Sequence, residues 1–233
     1  MAMRELRDEE SLENVWEELI YTEARRVHDP HAKDLVPVVS KLAARRSQVR
    51  EGQEAAWRAE VVAQAGVDGA DDTLDEIVSR ISVTLLHAVG DRTSPRFTRY
   101  FKNAPNIIIR MGLASEIEVV RGWPESLKGE AEKELKILGK DLADAIAVGD
   151  AALEERRRAA AARADHRVRE IIPLIEDINA ARLSLYAELT LRSGKHRLPR
   201  DWADRFFRRG ARVARGRTVS VEPPLSPEAT RPS

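Results

Sequence analysis

The chain contains no cysteine, which removes disulfides, thiolate catalysis and cysteine-ligated metal together. Long apolar runs are missing as well, since no stretch approaches the roughly twenty residues that a membrane helix needs. Met1-Ala2-Met3-Arg4-Glu5-Leu6-Arg7 leads into acidic residues where a secretory signal would place an apolar segment. A cytoplasmic location is the resulting expectation. Lysine is scarce, with eight against thirty-one arginines, a coding bias of a GC-rich, bacterial kind that says nothing about activity.

Several site signatures are absent too. No histidine stands three residues after a glutamate, so the Glu-x-x-His pattern of carboxylate-bridged metal sites in bundles is missing. His28 and His31 could clip a metal, but they straddle Asp29-Pro30, where helical geometry ends, and the pair reads as an ordinary linker. There is no glycine-rich phosphate loop and no dinucleotide fingerprint; Ser193-Gly194-Lys195 lacks the upstream glycine and reads as a helix stop. Serine, histidine and aspartate are present without a nucleophile elbow to single out a set. No catalytic residue, metal or cofactor is therefore expected.

What is present suits helices. Charged residues make up 33% of the 233 and the apolar set 42%, with alanine and arginine prominent. The expected fold class is all-α: an antiparallel helical bundle occupying residues 1–210 as one domain, followed over 211–233 by a disordered Arg/Pro-rich tail in which Pro223, Pro224, Pro227 and Pro232 crowd together.

In chain order, Ser11 is the expected N-cap of a helix over 11–28, whose Leu12, Val15, Trp16, Leu19, Ile20 and Val27 recur at helical spacing. Asp34 and Pro37 open a long helix with a seam of Leu35, Val38, Leu42, Arg45, Val49, Gly52, Ala56, Ala59 and Ala63. Gly66 to Thr73 reads as its C-cap and a turn, after which Leu74, Ile77, Val78, Ile81, Leu85 and Ala88 form a shorter helix. Ile107-Ile108-Ile109 reads as a buried connector, Leu113 to Arg121 as a short helix, and Gly122 to Gly129 as a turn with one apolar anchor. A second long helix starts near 130. Either a turn follows between Asp165 and Glu170, or the helix runs on to Pro173.

Six of the eleven aromatic residues fall in two segments, Ser94 to Lys102 and Leu198 to Arg208. Phe97, Tyr100, Phe101, Trp202, Phe206 and Phe207 are read as core plugs. Around them lies an apparent internal duplication, with repeats over 31–104 and 130–210, each a long helix, a shorter helix, a proline and a short aromatic helix. Lys33, Leu35, Leu42, Ala43 and Glu54 match Lys133, Leu135, Leu142, Ala143 and Glu154 at one offset. Asp75, Arg80, Ile81 and Ser82 match Asp177, Arg182, Leu183 and Ser184 at a slightly larger one.

The zero net charge hides a polarity: residues 1–24 carry eight acidic and two basic side chains, and residues 192–233 carry eleven basic and four acidic. The leading functional expectation is a non-enzymatic protein–protein interaction or structural protein with a protein partner or self-association, and no membrane. The alternative is nucleic-acid or polyanion binding through 192–217, with Arg197, Arg200, Arg208, Arg209, Arg212, Arg215 and Arg217 as the phosphate-facing candidates. An enzyme with a site invisible in sequence stands third.

Overall fold

The computed structural model describes residues 3–208 apart from Val36 and Val38. The expected tail over 211–233, and the place of Val38 in the seam, lie outside the described residues. All regular structure among the described residues is helical: α1 (Leu12–Val27), α2 (Val39–Val89), α3 (Pro95–Thr98), α4 (Pro105–Ile108), α5 (Leu113–Val120), α6 (Trp123–Lys128), α7 (Lys133–His166) and α8 (Ile172–Lys195). A π-helical turn, Arg167–Ile171, joins α7 to α8, and a 3-10 turn, Ala203–Phe206, follows. No helix among the described residues is long and apolar enough to cross a membrane.

The chain divides into a terminal unit, Met1–Val39 with Asn179–Ser233, and a central unit, Ser40–Ile178. In the central unit, Leu74, Val78, Ile81 and Leu85 of α2 join Phe97, Phe101, Ile117, Val120, Leu127, Leu135, Leu138 and Leu142 in one core. Each such side chain contributes about 1.5–3 kcal/mol by leaving water. Two glycines of α7 let the short helices approach closely. A Cβ on Gly139 would come within 2.8 Å of Leu127 Cβ, and one on Gly149 within 2.7 Å of Ile117 Cδ1.

Three expectations are corrected here. The break at Gly66 to Thr73 does not occur, and α2 runs unbroken for 51 residues. Val67, Ala70 and Leu74 continue the buried stripe through it, and their burial outweighs the roughly 1 kcal/mol that each helical glycine costs. Ala59 of the seam is exposed. The turn over 122–129 is instead the helix α6, with Pro124 in its first turn and two buried anchors, Trp123 and Leu127. Where a turn or a continuing helix was open near Pro173, the helix continues. Pro173 has no N–H to return to Arg169, and the chain widens just before it, so that Ile172 N–H reaches Arg167 C=O.

In the terminal unit, the Ser11 hydroxyl accepts from Asn14 N–H at 3.2 Å and opens α1. Leu185, Leu189, Trp202, Phe206 and Phe207 form the unit's aromatic core with Ala32 and Leu35. Arg26, 4% exposed, donates to the carbonyls of Lys33 and Leu35 at 2.9 and 2.6 Å and ties down the loop after α1.

Candidate functional site

All six aromatic plug candidates are buried, between 1% and 5% exposed. The first group is ordered by a charge clamp. Ser94 caps α3 and Pro95 starts it, which sends Phe97 and Phe101 into the core with ring centroids 5.1 Å apart. Arg96 donates to Glu130 at 2.7 Å and to Glu132 at 3.0 Å, while Tyr100 Oη donates to Glu130 at 2.8 Å. Glu130 is 6% exposed, so this carboxylate is held by two donors in a dry setting. The Tyr100 phenol is pushed up to about 12, first by burial and then by the Glu130 carboxylate.

The clamp holds Tyr100, which lines a groove of about 410 Å³. Its floor is Tyr100 and Trp123, whose rings meet edge to face at 5.6 Å. Its sides are Ile107, Ile108, Met111 and Val119, and its rim is Arg99, Lys102 and Asn103. Gly112, at φ +76°, provides the left-handed turn that separates α4 from α5 and brings Met111 and Val119 to the same opening. Ile107, Met111 and Val119 stay 47%, 44% and 41% exposed, a contiguous apolar surface of the kind that marks interaction sites. Arg99 lies 3.8 Å from Glu130; Lys102 makes no ion pair among the described residues. The Ile107 to Ile109 stretch is thus only partly the buried connector expected: Ile108 is 5% exposed and Ile107 faces the groove.

Two other depressions belong to the central unit. One of about 490 Å³ is flanked by Arg121, Lys128, Lys136 and Lys140; Arg121 is engaged by Asp150 and Glu118, and Lys128 by Glu125. The other, about 290 Å³, has Thr73, Asp141 and Asp144 around Ala70 and Ile77. None of these three grooves includes a histidine. Among the described residues, no group of three or more histidines, aspartates or glutamates is placed to hold a metal ion.

The second aromatic group is arranged differently. Trp202 and Phe206 pack at 4.9 Å, Trp202 Nε1 donates to Asp29 at 3.0 Å, and Tyr186 Oη donates to Asp204 at 3.0 Å beside Phe207. His31 lies against the Trp202 edge and 5.2 Å from the His196 ring. Of the arginines proposed to meet polyanions, Arg208 is paired with Glu17 at 3.0 Å and lies over the Tyr21 ring. Arg197, at φ +54° in the turn after α8, and Arg200 are exposed. Arg209, Arg212, Arg215 and Arg217 lie outside the described residues.

Sequence reasoning missed Glu116. It is wholly buried on α5, and neither of its oxygens meets a donor. Burial, and then the neighbouring carboxylates of Asp75 and Asp71, push its carboxyl up to about 8. Nothing in the apolar spacing of α5 distinguishes such a group from a solvated one.

The chain matches no protein-family model, no curated protein and no solved structure.

Proposed function

We propose that this protein is a non-enzymatic interaction protein, an antiparallel helical bundle with an internal duplication, whose α3–α6 groove receives an amphipathic segment of a partner protein. The observation that carries the reading is the exposure of Ile107, Met111 and Val119 together around Tyr100 and Trp123, beside Lys102, which makes no ion pair among the described residues. A partner helix with an apolar face and flanking carboxylates complements both features.

The antiparallel arrangement is supported by the facing pairs of α2 and α7, which run in opposite senses: a Cβ on Gly52 would meet His166, whereas Ala70 to Ile77 share a groove with Asp141 to Val148. Support for the duplication lies in the order of elements. The helix α2 ends shortly before Ser94-Pro95 and the first aromatic turn, and the helical run from Lys133 to Lys195 ends shortly before Leu198-Pro199 and the second.

Selection of a displayed peptide library on the full chain tests the reading. Enriched peptides should be apolar with acidic flanks, and should lose at least tenfold in affinity for the Met111→Asp and Lys102→Glu variants. Enriched peptides indifferent to both substitutions, or a failure to enrich any, would refute the groove as a docking site.

A second reading, polyanion binding through 192–217, is favoured by the exposed Arg197 and Arg200 and the arginines that follow them in sequence. Titration with DNA and RNA at low and moderate salt decides it, because binding without salt dependence, or no binding, removes it.

A further inference from the structure

The segment before α1 is held as a bound peptide would be. The Asn179 side-chain amide accepts from Leu6 N–H at 3.0 Å and donates to Leu6 C=O at 2.8 Å. This two-point bond recognises backbone in the way that a neighbouring strand would, independently of side chain. Arg182 donates to Arg4 C=O at 3.1 Å, the Leu6 side chain is 2% exposed, and the Arg4 guanidinium, which donates to Glu10 at 2.7 Å, also lies 3.6 Å from Glu18. Residues 3–7 are outside any helix; at Leu6 and Arg4 the backbone is fixed by these contacts, and at Arg7 by Glu10, whose carboxylate accepts from Arg7 N–H at 3.2 Å.

The fit is incomplete. Arg182 Nε and Nη2 and Glu18 Oε2 are buried without a hydrogen-bond partner, although the two side chains lie 3.8 Å apart. A buried polar group left unpaired costs free energy, so this occupant does not use all that its socket offers. Tethering compensates, because a segment joined to α1 through residues 7–11 is present at high effective concentration.

We propose that the socket formed by Glu18 of α1 and by Asn179 and Arg182 of α8 is a binding site for an extended peptide of another protein. Its ligand has a bulky aliphatic residue in the Leu6 position and a basic residue in the Arg4 position, and residues 4–6 fill the site in cis. Binding then requires the strap to leave. The backbone bonds to Asn179 and Arg182 supply affinity, and the Leu6 socket with Glu18 supplies selection.

The experiment uses the full chain and a fluorescent peptide carrying residues 1–9. Leu6→Asp should eject the strap and raise affinity for the peptide at least tenfold over the wild-type chain, and adding Asn179→Ala should abolish the gain. A Leu6→Asp chain that keeps its helical circular dichroism yet binds no better than wild type overturns the proposal. Hydrogen exchange on the wild-type chain gives an independent reading if that variant unfolds. The Leu6 amide should exchange at least a hundredfold faster than that of Leu185 in α8, whereas equal rates would mean that the strap opens only on unfolding and would sink the idea. Concentration-dependent dimerisation that Asn179→Ala abolishes would likewise overturn it, in favour of strap exchange between copies.

Discussion

Among the described residues, each unit of this protein buries one ionisable side chain completely, and the two cope in different ways. Glu116 in the central unit and Arg182 in the terminal unit are both 0% exposed, and both leave hydrogen-bonding capacity unused. Glu116 faces other carboxylates and escapes its charge by holding a proton up to about 8. Burial pulls the Arg182 pKa down while Glu18 opposes the shift, but a guanidinium does not deprotonate in any accessible range. Its charge is tolerated because the Arg4 carbonyl, the Glu18 carboxylate and the Phe207 ring, 5.4 Å away, surround it. The same desolvation problem is therefore graded by pH in one unit and by geometry in the other.

The sharpest way to break the comparison is through the rings. Phe101→Ala and Phe207→Ala should each destabilise by about 3–5 kcal/mol in urea titrations. Only the second also opens the surroundings of a buried cation, so hydrogen exchange should show the strap loosened in Phe207→Ala and unchanged in Phe101→Ala. Next comes the counter-charge. Glu18→Gln leaves Arg182 without its carboxylate and should cost about 3 kcal/mol, whereas Arg182→Met, which removes the charge and keeps volume, should stay within about 1 kcal/mol of wild type. Stability that is equal in these two variants would show that Glu18 does not carry the burial of Arg182.

For Glu116 the expected effect follows from proton binding. The folded chain keeps this proton up to about 8, and the unfolded chain releases it near the ordinary 4.5. Between those values the folded state binds more protons, so its stability is full below about 4.5, falls as pH rises and levels off above about 8. The loss should be on the order of 5 kcal/mol. Glu116→Gln should flatten that slope across pH 5 to 8; an unchanged slope would assign it to other groups. The smallest effects separate two kinds of helical glycine. Gly139→Ala, pressed against Leu127 Cβ, should cost about 1–2 kcal/mol, while Gly66→Ala, with open space around it, should gain about 0.5–1 kcal/mol. Thermal melts resolve both.

The elements that were legible in sequence are those signalled by local chemistry. Ser11, and Ser94 with Pro95, cap the helices that their residue types suggest, and clustered aromatics are buried. The misreadings share a cause, which is that tertiary burial overrides local signals. Gly66 and Gly69 look like punctuation, yet Val67 and Ala70 between and after them are core, and the helix holds. The groove was illegible because Ile107, Met111 and Val119 have the composition of core residues, and only the folded chain reveals that they stay exposed among the described residues. Leu6 was equally silent, since a single leucine in an acidic stretch carries no periodicity and the amide that holds its backbone, Asn179, is 173 positions away.

The π-helical turn at Arg167–Ile171 has a consequence for how this helix tolerates change in length. In ordinary α winding one added residue would rotate everything after it by about 100°; the wider turn takes up that residue instead, and Ile171, Leu174, Ile175 and Ile178 are all buried in and after it. The turn thus holds an extra residue inside a continuous helix without making a loop. Removing one residue there should restore ordinary helical winding with those four side chains still facing inward, whereas the same deletion within the regular winding of α8 would swing every side chain after it by about 100°.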